Sequence, residues 1–330
     1  MKNLKKMSSG RKILIGIISL ILILSAGGYA YVYTTLNKVN NIALDTNDLA
    51  INPNLNNQVD TTDIKNIAIF GIDSSDGQIG RSDSIMILTI DEKHDKLKVS
   101  SIIRDSYVEI PGREGKDKIN HAYAFGTASG ETNGGPTLAI KTLNKNFNLN
   151  IQDFISVNFS SLPKLIDSVG GIQVNITSEE LKYINGYVDG LNTVNNTNSS
   201  RISSTGNQQL DGTQALAYSR IRYTSGGDFE RSQRQRTVLT TLFGKFKSAS
   251  ATSYPSLLNG LLPLVDTNLT PTDFLSLAMK VNSLSISELA QDRFPRDNYG
   301  EGKLINGIYY YVFDIEETAK QMTDYIFLDK

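Results

Sequence analysis

The 330-residue sequence contains no cysteine and only two histidines. Without cysteine the chain forms no disulfide, has no thiol nucleophile, holds no cysteine-ligated zinc and carries no lipid on a cysteine. His94 lies in a charged, turn-like segment, and His121 has no serine or second histidine at a recognisable spacing. The motifs of serine hydrolases, nucleotidases, zinc proteases and dinucleotide-binding proteins are also missing. These enzyme classes are therefore excluded.

The chain also lacks an excess of either charge, with 33 basic and 34 acidic residues and a formal net charge of −1. A nearly neutral protein has no overall field that would attract a nucleic acid, so we expect no nucleic-acid partner. A site for a polyanion must instead be a local cluster of basic residues.

Charge is missing altogether from residues 13–34, which follow five basic residues within the first 12 positions. About 20 apolar residues are enough for a helix to cross a bilayer. The basic flank places the N-terminus in the cytoplasm, so residues 1–12 are a predicted cytoplasmic tail and 13–34 a single-pass membrane anchor. A cleaved signal peptide is the alternative, because Ser25-Ala26-Gly27 offers small residues. The catalytic domain is then extracellular.

Beyond the anchor the pattern predicts one α/β domain over residues 63–250. Residues 35–62 are rich in Asn, Asp and Thr and are interpreted as a solvated extracellular stalk. Three close apolar runs predict consecutive strands, and helical periodicities follow. The polar segment 185–209 is predicted to be a mobile loop. Residues 251–330 are predicted to be a helical and strand extension that packs on the domain or continues it.

If the first three strands form an antiparallel meander, charged residues from all three meet at one edge of the sheet. These residues are Asp73, Arg81, Asp83, Arg104 and Asp105. Two carboxylates beside guanidinium groups suit Mg²⁺, or Mn²⁺, next to phosphate oxygens. A surface network of ion pairs is the alternative interpretation.

A predicted helix that starts near Arg231 places this arginine and Gln235 on the apolar arc of Val238 and Leu242. A desolvated guanidinium needs an anionic partner. The first turn of a helix favours an anionic ligand there, although Asp228 is an alternative, structural partner.

Just upstream, Arg220 and Arg222 are spaced to chelate one phosphate group, because a guanidinium matches two oxygens at once. With Arg231, Arg234 and Arg236, five arginines fall within 17 positions of this nearly neutral chain. A polyanionic ligand explains that concentration best.

Six motifs occur in an order that resembles the LytR-CpsA-Psr family, over roughly residues 62–245. They are N-I-A-I-F-G-I-D at 66–73, G-R-S-D-S at 80–84, I-I-R-D at 102–105, K-I-N-H-A-Y at 118–123, Y-S-R-I-R at 218–222 and D-F-E-R-S-Q-R-Q at 228–235. The resemblance implies an α/β/α sandwich with a mixed central sheet. It also implies a polyprenyl pyrophosphate ligand whose lipid tail lies in an apolar tunnel. Family members transfer teichoic acid, capsular or related polymers from this carrier to a peptidoglycan hydroxyl.

The same resemblance implies roles for individual residues. By matching motifs, Asp73 and Asp83 would hold the metal ion. The pyrophosphate would be held by Arg104, Lys118, Arg220, Arg222, Arg231 and Gln235, with Arg81 close by. We assign direct catalytic roles to Arg104, Asp105 and Arg231. Asp105 is either a base toward the acceptor hydroxyl or a residue that orients Arg104.

Three other functions compete with this prediction. A transcriptional regulator is disfavoured because a 12-residue tail is too short for a helix-turn-helix. A pyrophosphatase would act on the same lipid with water in place of the wall acceptor. A non-catalytic polymer-binding scaffold would tolerate lysine in place of Arg231.

Overall fold

The structure is a computed structural model that describes residues 40–74, 79–248, 260, 262–284 and 289–330. Besides two short 3-10 turns, Thr46–Asp48 and Leu262–Leu264, the described residues form strands and helices. In chain order these are β1 (Asn40–Asn41), α1 (Leu55–Gln58), β2 (Ile64–Asp73), β3 (Arg81–Asp91), β4 (Lys96–Ile102), β5 (Tyr107–Glu109), β6 (Lys116–Lys118), α2 (His121–Ala128), α3 (Gly134–Phe147), β7 (Asp153–Asn158), α4 (Leu162–Ser168), β8 (Ile172–Ile176), α5 (Ser178–Asn195), β9 (Gly206–Leu210), α6 (Gly212–Arg220), α7 (Gly227–Ser248), β10 (Asp266–Thr267), α8 (Pro271–Ser283), β11 (Ala290–Phe294), β12 (Gly300–Ile305), β13 (Ile308–Phe313) and α9 (Ile315–Phe327).

A mixed central sheet runs through the domain in the order β1-β10-β7-β2-β3-β4-β11. The pairs β2–β3 and β3–β4 are antiparallel, whereas β2–β7 and β4–β11 are parallel. The predicted meander of three strands is therefore confirmed, and so is the predicted mixed sheet. The end of β2, the start of β3 and the end of β4 lie at the same edge.

Helices cover both faces of this sheet because apolar side chains alternate along its strands. On β2, Ala68 and Phe70 point into a core that also contains Ile140 of α3 and Ile326 of α9. Ile67 points into a smaller core on the other face, beneath α8. The helices thus form layers on either side of the sheet.

A third core lies beside the sheet, between the antiparallel pair β8–β9 and helices α4 to α7. Here the prediction of a mobile loop at 185–209 is wrong, because α5 continues to Asn195 and β9 begins at Gly206. The segment is polar in composition, but its few apolar residues have a helical spacing. Ile184, Val188 and Leu191 recur at helical intervals and are buried together, so one apolar stripe holds the helix.

The segment preceding β2 also differs from its interpretation as a solvated stalk. Leu49, Leu55 and Val59 are buried in the same core as α3. Asn144 of α3 donates a hydrogen bond to the carbonyl oxygen of Leu49 at 2.9 Å. Three apolar side chains, at intervals of six and four residues, are enough to hold this otherwise polar segment against the domain. The packed domain therefore starts well before Asp63.

The C-terminal region continues the domain. Strands β10 and β11 belong to the central sheet, and α9 packs into the main core. Within the described part of the chain, no helix is both long and apolar enough to span a membrane. The predicted cytoplasmic tail at 1–12 and the predicted anchor at 13–34 lie outside that part.

Candidate functional site

The site is built on an irregularity in the pairing of β2 with β3. Gly71 pairs with Ser84, but the next residue of β2, Ile72, pairs with Ser82, so Asp83 is an extra residue in β3. Such a β-bulge re-aims a side chain and is often found beside an active site. A Cβ on Gly71 would lie 2.9 Å from the Cβ of Ser84, so the close approach of the strands requires glycine here.

Asp83 is only 4% exposed and gathers donors from three other parts of the fold. Its carboxylate accepts hydrogen bonds from Arg104 Nη1 at 2.5 Å and from Asn120 Nδ2 at 2.8 Å. Arg222 Nη2 lies 3.7 Å from the same carboxylate. Arg231 Nη2 donates to the main-chain oxygen of Asp83 at 3.3 Å. The bulge residue therefore joins β3 to the end of β4, the start of α2 and helix α7.

The surrounding charges decide the protonation of Asp83. Burial by itself would raise the pKa of this carboxyl group. The positive charge of Arg104, the hydrogen bond from Asn120 and the charges of Arg231 and Arg81 outweigh burial, so the pKa lies below its ordinary value. Asp83 is consequently a carboxylate at neutral pH.

Asp105 forms a second junction next to the first. Lys118 Nζ lies 2.7 Å from one of its carboxylate oxygens, and Arg104 Nε lies 3.4 Å from the other. The main-chain N–H of Tyr311 donates to the Asp105 carbonyl at 2.8 Å, which ties this turn to β13. Both carboxylate oxygens thus face cations, so the geometry favours the orienting role for Asp105 over the base.

A third pair lies at the more exposed rim of the edge. Arg220 Nη2 is 3.1 Å from Asp73 Oδ1, and its guanidinium carbon lies 5.3 Å from the ring centroid of Phe159. Arg81 is exposed and pairs with Asp73 in the β2–β3 register. Gly80 has no room for a side chain, because a Cβ there would be 2.6 Å from Ile72 Cγ2. The rim is therefore formed by the last residue of β2 and the first of β3.

The five arginines between positions 220 and 236 separate into three groups in the fold. Arg220, Arg222 and Arg231 reach the sheet edge. Arg234 instead donates at 2.9 Å both to the Ile221 carbonyl and to Thr224, and is a structural residue. Arg236 lines a separate cavity. The five arginines that are close in sequence are therefore only partly close in space.

Most of the predicted site residues are brought together, and their roles stay predictions. Gln235 is half buried one turn after Arg231 on α7. The side chain of Asp228, the alternative partner of Arg231, lies outside the described residues. Asn120 is the site residue that we missed, although it stands within the K-I-N-H-A-Y motif. The signal available was its place between Lys118 and the start of α2.

The sheet edge carries more positive than negative charge. Six basic residues, Arg81, Arg104, Lys118, Arg220, Arg222 and Arg231, accompany three carboxylates, Asp73, Asp83 and Asp105. Guanidinium groups bind phosphate oxygens in pairs, so the surplus charge fits a phosphorylated ligand.

The donor set also fits a hard divalent cation in kind. Asp73 and Asp83 are oxygen donors at adjoining strand ends, and Mg²⁺ commonly takes one or two carboxylates with phosphate and water. In the part of the chain described, no three His, Cys, Asp or Glu side chains cluster in a way that could hold a metal ion without other ligands. A phosphorylated ligand would have to complete the coordination.

Comparison with known proteins identifies similar sequences along most of the chain. The model of the LytR_cpsA_psr family matches residues 24–326. A polyisoprenyl-teichoic acid–peptidoglycan teichoic acid transferase TagU of Oceanobacillus iheyensis is 34% identical over 316 residues, which are 92% of this chain and 89% of the relative.

Two solved structures share the fold. TagT bound to LIIa-WTA superimposes with a TM-score of 0.62 at 26% identity, over 80% of this chain and 91% of TagT. The LytR-CPS2A-psr family protein YwtF (TagT) with bound octaprenyl pyrophosphate lipid has a TM-score of 0.58 at 25% identity, with coverage of 80% and 91%.

The charge network predicts a pH-dependent contribution of Asp83 to stability. Replacing it by asparagine is expected to lower the free energy of unfolding near pH 7 by roughly 3 to 5 kcal/mol, since one partner of a buried pair is lost. Because folding lowers the pKa of Asp83, its stabilisation is complete above the ordinary value of 3.8 and is lost as the pH falls through the lower, folded value.

Urea unfolding of the native protein and Asp83→Asn, followed from pH 7 down to about pH 2, tests this prediction. The difference between the two proteins should shrink toward the acid end. Asp73→Asn is the matched control, because its ion pair is exposed and is worth roughly 0 to 1 kcal/mol. A difference that stays constant with pH would contradict the electrostatic origin.

Proposed function

The chain belongs to the LytR-CpsA-Psr family, and on this premise we propose that it transfers a phosphorylated glycopolymer from a polyprenyl pyrophosphate carrier to a peptidoglycan hydroxyl. The observation that carries the proposal is the surplus of arginine and lysine side chains around Asp83 and Asp105. A relative named as a teichoic acid transferase and a related structure with octaprenyl pyrophosphate lipid support it. On the names of these relatives, we propose wall teichoic acid as the transferred polymer.

Ligand binding would exchange internal ion pairs for pairs with phosphate. Arg220 and Arg222 are at the exposed rim, with 35% and 50% of their side chains exposed, and are able to reach an incoming pyrophosphate. Arg104, Lys118 and Arg231 are more deeply placed and are already oriented by Asp83 and Asp105. Pre-oriented donors lose little freedom when the ligand binds, which favours tight and directional binding.

The reaction requires positioning and charge neutralisation more than covalent help from the protein. The acceptor hydroxyl oxygen attacks the phosphorus atom that carries the glycopolymer. The bond between this phosphorus and the bridging oxygen breaks, and polyprenyl phosphate leaves with that electron pair. A phosphodiester forms as the hydroxyl proton is released. Arg104 and Arg231 stabilise the developing charge, and Asp105 holds Arg104 and Lys118 in place.

We also propose that Asp73 and Asp83 hold Mg²⁺ or Mn²⁺ together with the pyrophosphate. When bound, the cation would neutralise phosphate charge and favour departure of the polyprenyl phosphate. Arg104 and Asn120 already donate to Asp83, so this carboxylate is fixed in orientation before any cation binds. Asp73 at the rim is more exposed.

Residues 13–34 are proposed to anchor the chain in the cell membrane, with the catalytic domain outside, because a lipid-linked donor meets a tethered enzyme at high effective concentration. The full chain is expected to sediment with membranes. A chain starting at residue 40 should be soluble and folded, since it keeps Leu49, Leu55 and Val59 in the core. Fractionation and urea unfolding test this, with a chain starting at Asp63 as the comparison. Sedimentation of the residue-40 chain with membranes would contradict the anchor.

Arg231 should be required for transfer through its guanidinium geometry as well as its charge. Arg231→Met is expected to reduce transfer of lipid-linked polymer to wall fragments by roughly 100-fold or more, as for loss of one charged donor to the transition state. Arg231→Lys should recover only part of the activity, because an ammonium group cannot bind two oxygens in a plane. Arg201→Met is the control, because Arg201 is exposed and pairs with Asp189 away from the site. Full activity of Arg231→Lys would favour a non-catalytic scaffold.

The metal proposal predicts that a chelator stops transfer and that added Mg²⁺ restores it. Asp73→Asn should raise the Mg²⁺ concentration needed for half-maximal transfer, because one anionic ligand is lost. A Mg²⁺ titration of the native protein and the variant measures this shift. Undiminished transfer in the presence of excess chelator would show that the arginine cluster suffices without a metal ion.

A further inference from the structure

A second cavity, of about 320 Å³, lies between α7 and β11, and its lining includes three arginines and three carboxylates. Arg236 of α7 and Arg293 of β11 line it, together with Phe229 and Gln233. Neither arginine has a role in the function proposed above. The volume is at the lower end of the range of small-ligand sites, so it accommodates a phosphate group and part of a sugar or polyol.

Arg236 is only 7% exposed, yet most of its donor groups lack acceptors. One nitrogen, Nη2, donates to Gln233 Oε1. Within the described ranges, Nε and Nη1 of Arg236 and Nε of Arg293 are buried without a hydrogen-bond acceptor. Leaving such donors unsatisfied is costly, because each guanidinium N–H has given up its contact with water. Three nitrogen atoms on two guanidinium groups therefore lack an acceptor among the described residues.

The two guanidinium groups also repel each other. Burial, and after it the charge of Arg293, lower the pKa of Arg236 to about 10, although Asp292 and Tyr325 act in the opposite direction. Burial likewise lowers the pKa of Arg293. Two desolvated like charges destabilise the empty cavity, and an anion between them would relieve both costs.

Carboxylates at the cavity are engaged with other partners. Asp292 lies 2.8 Å from Arg296 Nε, and Asp297, whose side chain is 78% exposed, pairs with Arg293 from the solvent side. Glu230 pairs with Arg234. Among the described residues, none of these carboxylates accepts a hydrogen bond from Nε or Nη1 of Arg236 or from Nε of Arg293.

The cavity adjoins the proposed catalytic site through β11 and α7. Phe294 of β11 pairs with Ile102 of β4, which is two residues before Arg104. Arg293 immediately precedes Phe294. The ring of Phe229 lies 4.1 Å from the guanidinium carbon of Arg293 and 5.6 Å from the ring of Tyr311, whose main chain binds Asp105. Phe229 also precedes Arg231 by two residues on α7. A chain molecule bound at the sheet edge could therefore extend into the cavity.

We propose that this cavity is a second oxyanion subsite, in which Arg236 and Arg293 hold a phosphate of the glycopolymer beyond the reacting pyrophosphate. This assignment rests on the proposed function, because it names the part of the donor that lies past the scissile bond. A phosphodiester presents two non-bridging oxygen atoms that share one negative charge, so each of the two guanidinium groups can donate to one of them. The subsite would select donors by the charge of their polymer.

Calorimetric titration of the full chain in detergent with soluble oligo(glycerol phosphate) tests the subsite without lipid, pyrophosphate or turnover. Arg236→Gln and Arg293→Gln are each expected to weaken binding by about tenfold or more, as for loss of a charged hydrogen bond. Arg296→Gln is the matched control, since it lines the same cavity but is paired with Asp292, and should change the Kd by less than about twofold. The same ratios are expected in an Arg231→Gln background, in which the sheet edge is impaired.

Equal affinity of the native protein and both folded variants would overturn the proposal, with circular dichroism to verify folding. Inorganic phosphate that binds as tightly as the oligomer and with the same dependence on Arg236 would indicate an adventitious ion only. Dependence on Arg236 for a muropeptide, but not for the oligomer, would also reject it, because the subsite would then take an acceptor carboxylate. If the native chain transfers no polymer but binds the oligomer through Arg236, the subsite stands and the proposed function fails.

Discussion

The buried carboxylate of Asp83 is the constraint on which the rest of the site depends. It sits at a bulge in β3 and collects Arg104 and Asn120 on its oxygens, while Arg231 binds its main chain. One side chain thereby sets the relative positions of β4, the start of α2 and helix α7. A carboxylate in this position is costly unless it is surrounded by donors, and the same donors are those that suit a phosphate. Structural and ligand-binding requirements thus fall on one set of residues.

Cations outnumber carboxylates both in the buried part of the network and at its exposed rim. Asp105 holds Lys118 and Arg104 inside, and Asp73 holds Arg220 at the rim. Each carboxylate orients a basic residue without using all of its donor capacity, because a guanidinium has five N–H groups. Such a site is assembled before a ligand binds, and its net positive charge favours the binding of phosphate.

Helix α7 connects this edge to the second cavity. Its first turns place Arg231 toward the sheet, while Phe229, Gln233 and Arg236 line the cavity from another side of the helix. Arg234, between them, is bound to the α6–α7 connection and fixes the helix in rotation. A single helix with a structural arginine in the middle can therefore present guanidinium groups to two separate places. The physical basis is the helical repeat, which separates neighbours in sequence around the axis.

Sequence alone was sufficient for the meander, the charged sheet edge and the burial of Arg231, because alternation, strand order and helical periodicity are local signals. It failed at α5 and at residues 40–62, where a few apolar residues in a polar context are stabilised by cores contributed from elsewhere in the chain. The contact of Asn120 with Asp83 and the proximity of Arg236 to Arg293 were likewise not predictable, because no local pattern indicates which distant side chains will meet. Only the tertiary structure decided those contacts: strand β11 joins the sheet beside β4 across more than 190 positions of sequence, and long-range pairing of this kind is set by packing of the whole domain.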